Sequence, residues 1–239
     1  MLSLEELKRL AGEWHTNEQN VTREYAQHVF LCCLYGDPAA DKLFFKGGTA
    51  LRILHRSPRF SEDLDFTGNA SLHATKNLIE KTARKMRPEI NELALTESKP
   101  TTGGYFGILN GTLGPMQTQI QIQISLRQKI SQGEPMLVTT PLTPSYSVLA
   151  LQEEEIVREK IEALLARSKP RDFYDLYFIL RKPMGNRKLI ASKRAAMLKK
   201  LEELNSKTIY QELREFLPRS HWAILKNLPD LIKKELYRI

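Results

Sequence analysis

Lys46-Gly47-Gly48-Thr49-Ala50-Leu51-Arg52 and, shortly after it, Arg59-Phe60-Ser61-Glu62-Asp63-Leu64-Asp65-Phe66 are the stretches that decide the fold. The first follows the apolar run Leu43-Phe44-Phe45, read as a strand, and leads into a helical pattern over Ala50 to His55. A glycine pair between a strand and a helix lets backbone N–H groups approach a phosphate closely, and Thr49 adds a hydroxyl at the helix start. In the second stretch Leu64 and Phe66 alternate with Asp63 and Asp65, the period of a half-buried strand. Both carboxylates therefore leave the same face. Two carboxylates projecting together are costly unless a cation joins them. Oxygen-only ligands suit Mg²⁺, which binds through a few carboxylates plus substrate phosphates. Fifteen residues separate Gly48 from Asp63. A lone glycine pair is most often a turn, and a lone D-x-D is most often a solvated strand end. Their joint order, strand, glycines, helix, strand, gives a phosphate cradle beside a paired-carboxylate site. That is the equipment for nucleotidyl transfer.

Upstream, Leu2, Leu4, Leu7 and Leu10 fit one helix face, with Ser3 as N-cap before Glu6. A second helix is expected over Asn20 to Tyr35, ended by Asp37-Pro38. Downstream, residues 71–95 read as helical, and Thr101 to Leu109 as strand and turn. Gln117 to Leu126 is the cleanest strand, with Ile120, Ile122 and Ile124 on one face and Gln119, Gln121, Gln123 and Ser125 on the other. Residues 131–147 carry three prolines and read as loop plus a short strand around Met136 to Thr139. From Val148 onward nearly everything reads as helix: Glu153 to Arg167, Asp172 to Leu180, then 186–204, 207–216 and 221–238. The expected organisation is a first lobe over 1–147 and a helical lobe over 148–239.

A chain of 239 residues, 41% hydrophobic, can bury a real core, which excludes a disordered tail protein. No apolar run approaches the roughly 20 residues of a bilayer span, so no membrane association is expected. No secretion signal is read in Met1 to Leu10, and Cys32 and Cys33, adjacent in a helical pattern, read as reduced core thiols. The expected compartment is the cytoplasm. Scattered histidines argue against a His-metal phosphoesterase. The absence of G-x-S-x-G and of a Walker-type loop argues against serine hydrolases and P-loop kinases.

KGGTALR followed by RFSEDLDF resembles the AbiEii/AbiGii-type nucleotidyltransferase toxins, which include the MenT toxins and belong to the polymerase-β-like superfamily. EEEIVREKIEALLAR and RDFYDLYFIL are similar to that family's later lysine and R-D-x-x-D-L segments, in the same order. The resemblance implies an α+β, two-lobed enzyme with a mixed-sheet catalytic lobe and a helical C-terminal lobe that closes over NTP and RNA. It implies Mg²⁺ and an NTP, an RNA acceptor such as the tRNA 3′ end, and a cognate antitoxin from the same operon. By position, Gly47, Gly48 and Thr49 match the phosphate-binding motif and Asp63 and Asp65 the metal ligands; Lys46 and Ser61, beside these motifs, are further nucleotide-binding candidates. Lys160 matches a triphosphate-binding lysine, and Asp172, with Asp175 as the second choice, the acidic residue after it.

The residues themselves support parts of this. Val157, Ile161, Leu164 and Leu165 make an apolar stripe beside which Lys160 can bury its stem. The plain alternative is a surface lysine paired with Glu153, Glu154 or Glu162. Asp172 follows Pro170 and is expected in a first helical turn, either capping the helix or orienting Lys160, Arg171 or a nucleotide hydroxyl. Arg171 and Asp175 also fit an i, i+4 pair. Ser61 reads as a strand-start hydroxyl or a nucleotide contact, and Arg59 as a weaker phosphate contact. One departure stands out. Polymerase-β-like enzymes usually carry a third carboxylate on a later strand, where this chain offers Gln121, Gln123 and Ser125. On that ground three readings stay open: the two aspartates and substrate phosphates suffice, Asp172 or Asp175 fills the gap, or the chain is a nucleic-acid-binding module with a decayed site. Transfer to a protein side chain, with the same site and another acceptor, is a further alternative.

The net charge of +8 is unevenly spread, with 16 basic and 15 acidic residues up to Ala150 and 20 against 13 after it. Arg181, Lys182, Arg187, Lys188, Lys193, Arg194, Lys199 and Lys200 occur in twenty residues without one acid. The first six are expected to track an RNA backbone, the alternative being a solvated helix face.

Overall fold

The computed structural model describes residues 2–127, 132–182 and 184–239. Ser131, at the head of the expected loop, lies outside them. The chain divides into two compact units. One runs to Leu151 without Ser57–Arg59; the other comprises Ser57–Arg59 and Gln152–Ile239.

Among the described residues of the first unit, seven strands form one mixed sheet in the order β3-β4-β5-β2-β1-β7-β6. They are β1 (Leu43–Lys46), β2 (Asp63–Gly68), β3 (Asn91–Thr101), β4 (Gly104–Leu113), β5 (Met116–Ser125), β6 (Glu134–Val138) and β7 (Tyr146–Ala150). β2 runs parallel to β5 and β1 parallel to β7, and the other neighbours are antiparallel. The helices are α1 (Leu4–Glu13), α2 (Glu18–Tyr35), α3 (Gly47–Ile53) and α4 (Leu72–Met86). α2 packs on β5, β7 and α4. Its Val21, Tyr25, Phe30 and Leu31 meet a sheet face made of Phe45, Leu64, Phe66, Ile120, Ile122 and Ile124, all buried. Alternation along β2 and β5 then forces Asp63, Asp65, Gln121 and Gln123 onto the other face.

Ser3 and Glu6 make the reciprocal cap that starts α1, but Leu4 is 41% exposed and does not join Leu7 and Leu10 in the core. The expected helix over 71–95 stops at Met86, and 91–95 begin β3 instead. Pairing with β4 overrides the helical pattern there. Val148 to Ala150 are not helical either, since they complete β7, which pairs with β1 through Phe45 and Ala150. The expected lobe boundary at 147/148 thus falls inside a sheet strand, and the division comes after Leu151. Cys32 and Cys33 are only partly buried and pack against the core rather than within it; burial raises the Cys33 thiol to about 11.

The second unit is helical: α5 (Glu153–Arg167), α6 (Pro170–Arg181), α7 (Arg187–Glu202), α8 (Ser206–Leu213), α9 (Trp222–Lys226) and α10 (Leu228–Leu236). Helix α6 is its hub, packing on α5, α8 and α10 through buried Phe173, Leu176 and Ile179. The helix expected over 221–238 breaks at Asn227, which Pro229 follows in the first turn of α10. No helix among the described residues is long and apolar enough to cross a membrane.

Candidate active site

Asp63 and Asp65 stand at the start of β2, both partly exposed. Lys46, the last residue of β1, lies opposite Asp65, and Gln123 of β5 lies opposite it on the other side. Gln121 is likewise opposite Asp63. The departure read in the sequence is therefore geometric: the strand next to the two aspartates brings amides where a third acid is usual. Groups of three or more potential metal-ligating His, Cys, Asp or Glu are absent among the described residues.

The glycine turn and the carboxylates form one object. Gly47 has φ +84, and a Cβ on it would fall 2.2 Å from Asp65 Oδ2. Only a residue without a side chain leaves room for that carboxylate at the head of α3. Thr49 does something other than expected. It is fully buried, and its hydroxyl donates to the Asp63 carbonyl oxygen. It clamps α3 to β2 and is not available to a phosphate. Gly48 is buried as well, whereas Lys46, Gly47 and Ser61 are partly exposed.

The loop entering β2 is held by a residue the sequence reading passed over. Gln27 of α2 is buried and donates its amide to the carbonyls of Ser61 (2.9 Å) and Glu62 (3.2 Å). In the sequence Gln27 is one polar residue in an amphipathic run, and nothing local marks its partner 34 residues away.

Do these residues fit a divalent metal? Two adjacent carboxylates on one face, packed against a glycine that leaves them space, are an oxygen donor set of the kind Mg²⁺ takes when waters and phosphate oxygens complete its shell. The neutral Gln123 adds no charge. Asp63 and Asp65 fit the ion; a carboxylate base beside them is not supplied by β5.

The second unit has its own polar centre. Asp175 on α6 is 1% exposed and accepts two hydrogen bonds from Arg59, from Nε at 2.8 Å and Nη2 at 2.9 Å. It accepts a third from Lys160 Nζ on α5 at 2.7 Å. Burial alone would raise this carboxyl; the Arg59 and Lys160 charges outweigh it and hold the acid down at about 2. Three expectations change here. Asp172 does not orient Lys160 or Arg171. It accepts both hydrogen bonds of the Arg167 fork, at 2.7 and 2.9 Å, and caps the backbone N–H of Lys169 at the start of α6. Arg59 is no surface phosphate contact, being 4% exposed and committed to Asp175. Arg171 does not pair with Asp175, and its Nε is buried without a hydrogen bond.

The basic stretch divides in two. Arg181, Arg187, Lys188 and Lys193 are exposed. Arg181 lies 3.5 Å from Glu235, and Lys182 sits over the Phe178 ring. Arg194 shares the inward face of α7 with buried Ile190 and Met197, and its Nε is buried without a hydrogen bond. It serves packing rather than an open surface.

A search of curated proteins finds no match. Among solved structures, MenT4, a nucleotidyltransferase toxin from Mycobacterium tuberculosis H37Rv, superposes with a TM-score of 0.62 at 15% identity, over 97% of this chain and 92% of its own. JHP933 from Helicobacter pylori gives 0.58 at 20% identity, over 93% of this chain and 95% of its own. At such identities the likeness establishes the fold. Residues 29–235 match the family model described as nucleotidyl transferase AbiEii toxin, type IV toxin–antitoxin system, and the chain is therefore a nucleotidyltransferase belonging to that toxin family.

Proposed function

We propose that this nucleotidyltransferase uses Mg²⁺ to transfer a nucleotide from an NTP to an RNA acceptor, the 3′ end of tRNA, in the cytoplasm, and that a cognate antitoxin restrains it. The observation that carries the reading is the fit of Gly47 against the Asp65 carboxylate, which joins the glycine turn to the paired acids. Asp63 and Asp65 would hold the metal, which when bound orients the triphosphate and neutralises charge on the departing pyrophosphate. The chain's own residues then do the following. The partly exposed backbone at Lys46-Gly47 and the Lys46 ammonium would meet the phosphates. Thr49 and Gln27 keep β2 and its entry loop in place. Ser61 stands at that entry as a further nucleotide contact.

Lys160 is assigned to the triphosphate by the family resemblance. Its ammonium is fixed by Asp175, which stays ionised because of Arg59. In this reading Asp175, rather than Asp172, is the acid that acts with the lysine. Arg187, Lys188, Lys193 and Lys199 are the basic residues of the 181–200 stretch best placed to meet an RNA backbone, since they are exposed on α7.

The test is incubation with each of four labelled NTPs, Mg²⁺, total RNA and total protein. The expected result is label on RNA in the wild type, none with Asp65→Ala, and none with a chelator. Wild-type labelling by Asp65→Ala, or label on protein alone, would overturn it.

A further inference from the structure

The open face of the sheet carries a row of side chains that the paired acids do not account for. Strand register places Lys46, Asp65, Gln123, Phe106 and Lys99 side by side on β1, β2, β5, β4 and β3. Residues paired in this way share a face. The row is therefore one line across five strands, and Asp65 is its second member. Gln123 is exposed and Phe106 is half-exposed, although β4 otherwise turns its aromatic Tyr105 into the core. The Lys99 ammonium lies 5.3 Å from the Phe106 ring centroid, so that ring already accepts a partner over its face. Beside it, Asp65, Phe106, Gln123 and Arg127 line a cleft of about 270 Å³. Arg127 is fixed there by donating from Nε to the Thr102 carbonyl at 2.9 Å.

The chemistry of this row is specific. A partly exposed aromatic ring offers a stacking surface to any planar heterocycle. A primary amide next to it offers one donor and one acceptor edge, the combination that reads base edges. Two inter-strand steps, about 10 Å in all, separate Asp65 from Phe106, a distance one nucleotide bridges from sugar-phosphate to base. A merely solvated sheet face gives no reason for a half-exposed phenylalanine in line with the acids.

We propose that Phe106 and Gln123 form a nucleobase platform: the base stacks on Phe106 and presents an edge to the Gln123 amide, while its sugar-phosphate reaches toward Asp65. The assignment deepens the transfer reading and rests on it. The base belongs either to the incoming NTP or to the terminal nucleotide of the acceptor RNA; the chemistry is the same, and the experiment separates them.

The full chain and its Phe106→Leu, Phe106→Tyr and Gln123→Ala variants are titrated calorimetrically with ATP, CTP, GTP and UTP and with a short single-stranded oligoribonucleotide. Loss of the ring in Phe106→Leu is expected to raise Kd by about 5- to 100-fold for the probe that uses the platform. Phe106→Tyr keeps the ring and is expected to keep wild-type binding. Gln123→Ala is expected to flatten the preference among bases. A rise confined to NTPs assigns the platform to the incoming nucleotide, and a rise confined to the oligoribonucleotide assigns it to the acceptor. Unchanged affinities for every probe in both Phe106→Leu and Gln123→Ala overturn the proposal. The transfer reading fails separately: wild-type labelling by Asp65→Ala would remove it even where the Phe106 variants still lose binding.

Discussion

Gly47 shows how much one residue can decide. Its φ of +84 lies where an L-side chain costs about 1–2 kcal/mol, and the space a methyl would need is taken by the Asp65 carboxylate. Gly47→Ala therefore has to push Asp65 aside. The expected outcome is a fall of about 100-fold in kcat/KM for nucleotide transfer, the usual consequence of misplacing a reacting group by about 1 Å. Melting followed by circular dichroism should drop only a few degrees, since the residue is partly exposed at the head of α3 and not in the core. A variant with wild-type kcat/KM would show that the fit of Gly47 to Asp65 has no bearing on the reaction. The glycine and the acids were both legible in the sequence, because glycine pairs and alternating carboxylates declare themselves locally. Thr49 was misread for the opposite reason. Its hydroxyl could serve a phosphate or a backbone carbonyl, and only the approach of α3 to β2 decides for Asp63.

At the level of elements, α5 and α6 are joined by two buried carboxylates, Asp172 through Arg167 and Asp175 through Lys160. Asp175 on α6 holds Lys160 on α5 and Arg59 from the Ser57–Arg59 segment. Asp175→Asn leaves Arg59 buried without its counter-charge, a loss of about 3–5 kcal/mol, or roughly 10 °C in melting temperature for a chain of this size. The pH dependence has a fixed sign. The folded carboxyl titrates at about 2 against an ordinary 3.8, so its contribution is complete above about pH 4 and disappears as pH falls toward 2. Wild type and Asp175→Asn melted between pH 7 and pH 2 should converge at the acid end; a gap that stays constant would refute the ion-pair origin. Which acid held Lys160 was not legible. Asp172 and Asp175 are both acids on one short helix, and Arg59 is 116 residues away from the one it chooses. Helix periodicity, by contrast, gave α5 its observed ends, and alternation gave β5 its buried isoleucines. β7 escaped because five residues, four of them apolar, running almost directly into a helix carry too little pattern to separate strand from helix start.

For the whole molecule the relevant quantity is the distribution of charge. The first 150 residues are nearly neutral, and the excess of basic residues lies after them. Of the eight basic residues in 181–200, Arg181, Arg187, Lys188, Lys193 and Lys199 are exposed, while Arg194 is spent on packing. At about 100° per residue, Lys188 and Lys199 fall on one side of α7 and Lys193 and Lys200 on another, so the helix offers a charged collar rather than a single stripe. A collar of this kind binds phosphates without reading sequence, and each contact releases counterions. If Lys188 and Lys193 both touch RNA, the double variant Lys188→Gln, Lys193→Gln should bind a tRNA pool more weakly and with a flatter salt dependence. The slope of log K against log salt should lose about 1 to 2 units, roughly 0.7 to 0.9 for each phosphate contact removed. NTP affinity, measured in the same variant, should not move, because a nucleotide is held by contacts other than this collar in the proposed reading. Filter binding between 50 and 200 mM salt, a range over which a several-contact complex loses orders of magnitude in affinity, resolves a change of about that size. An unchanged slope would place the RNA elsewhere on the chain, and the +7 of the second half would then be a property of a solvated helix.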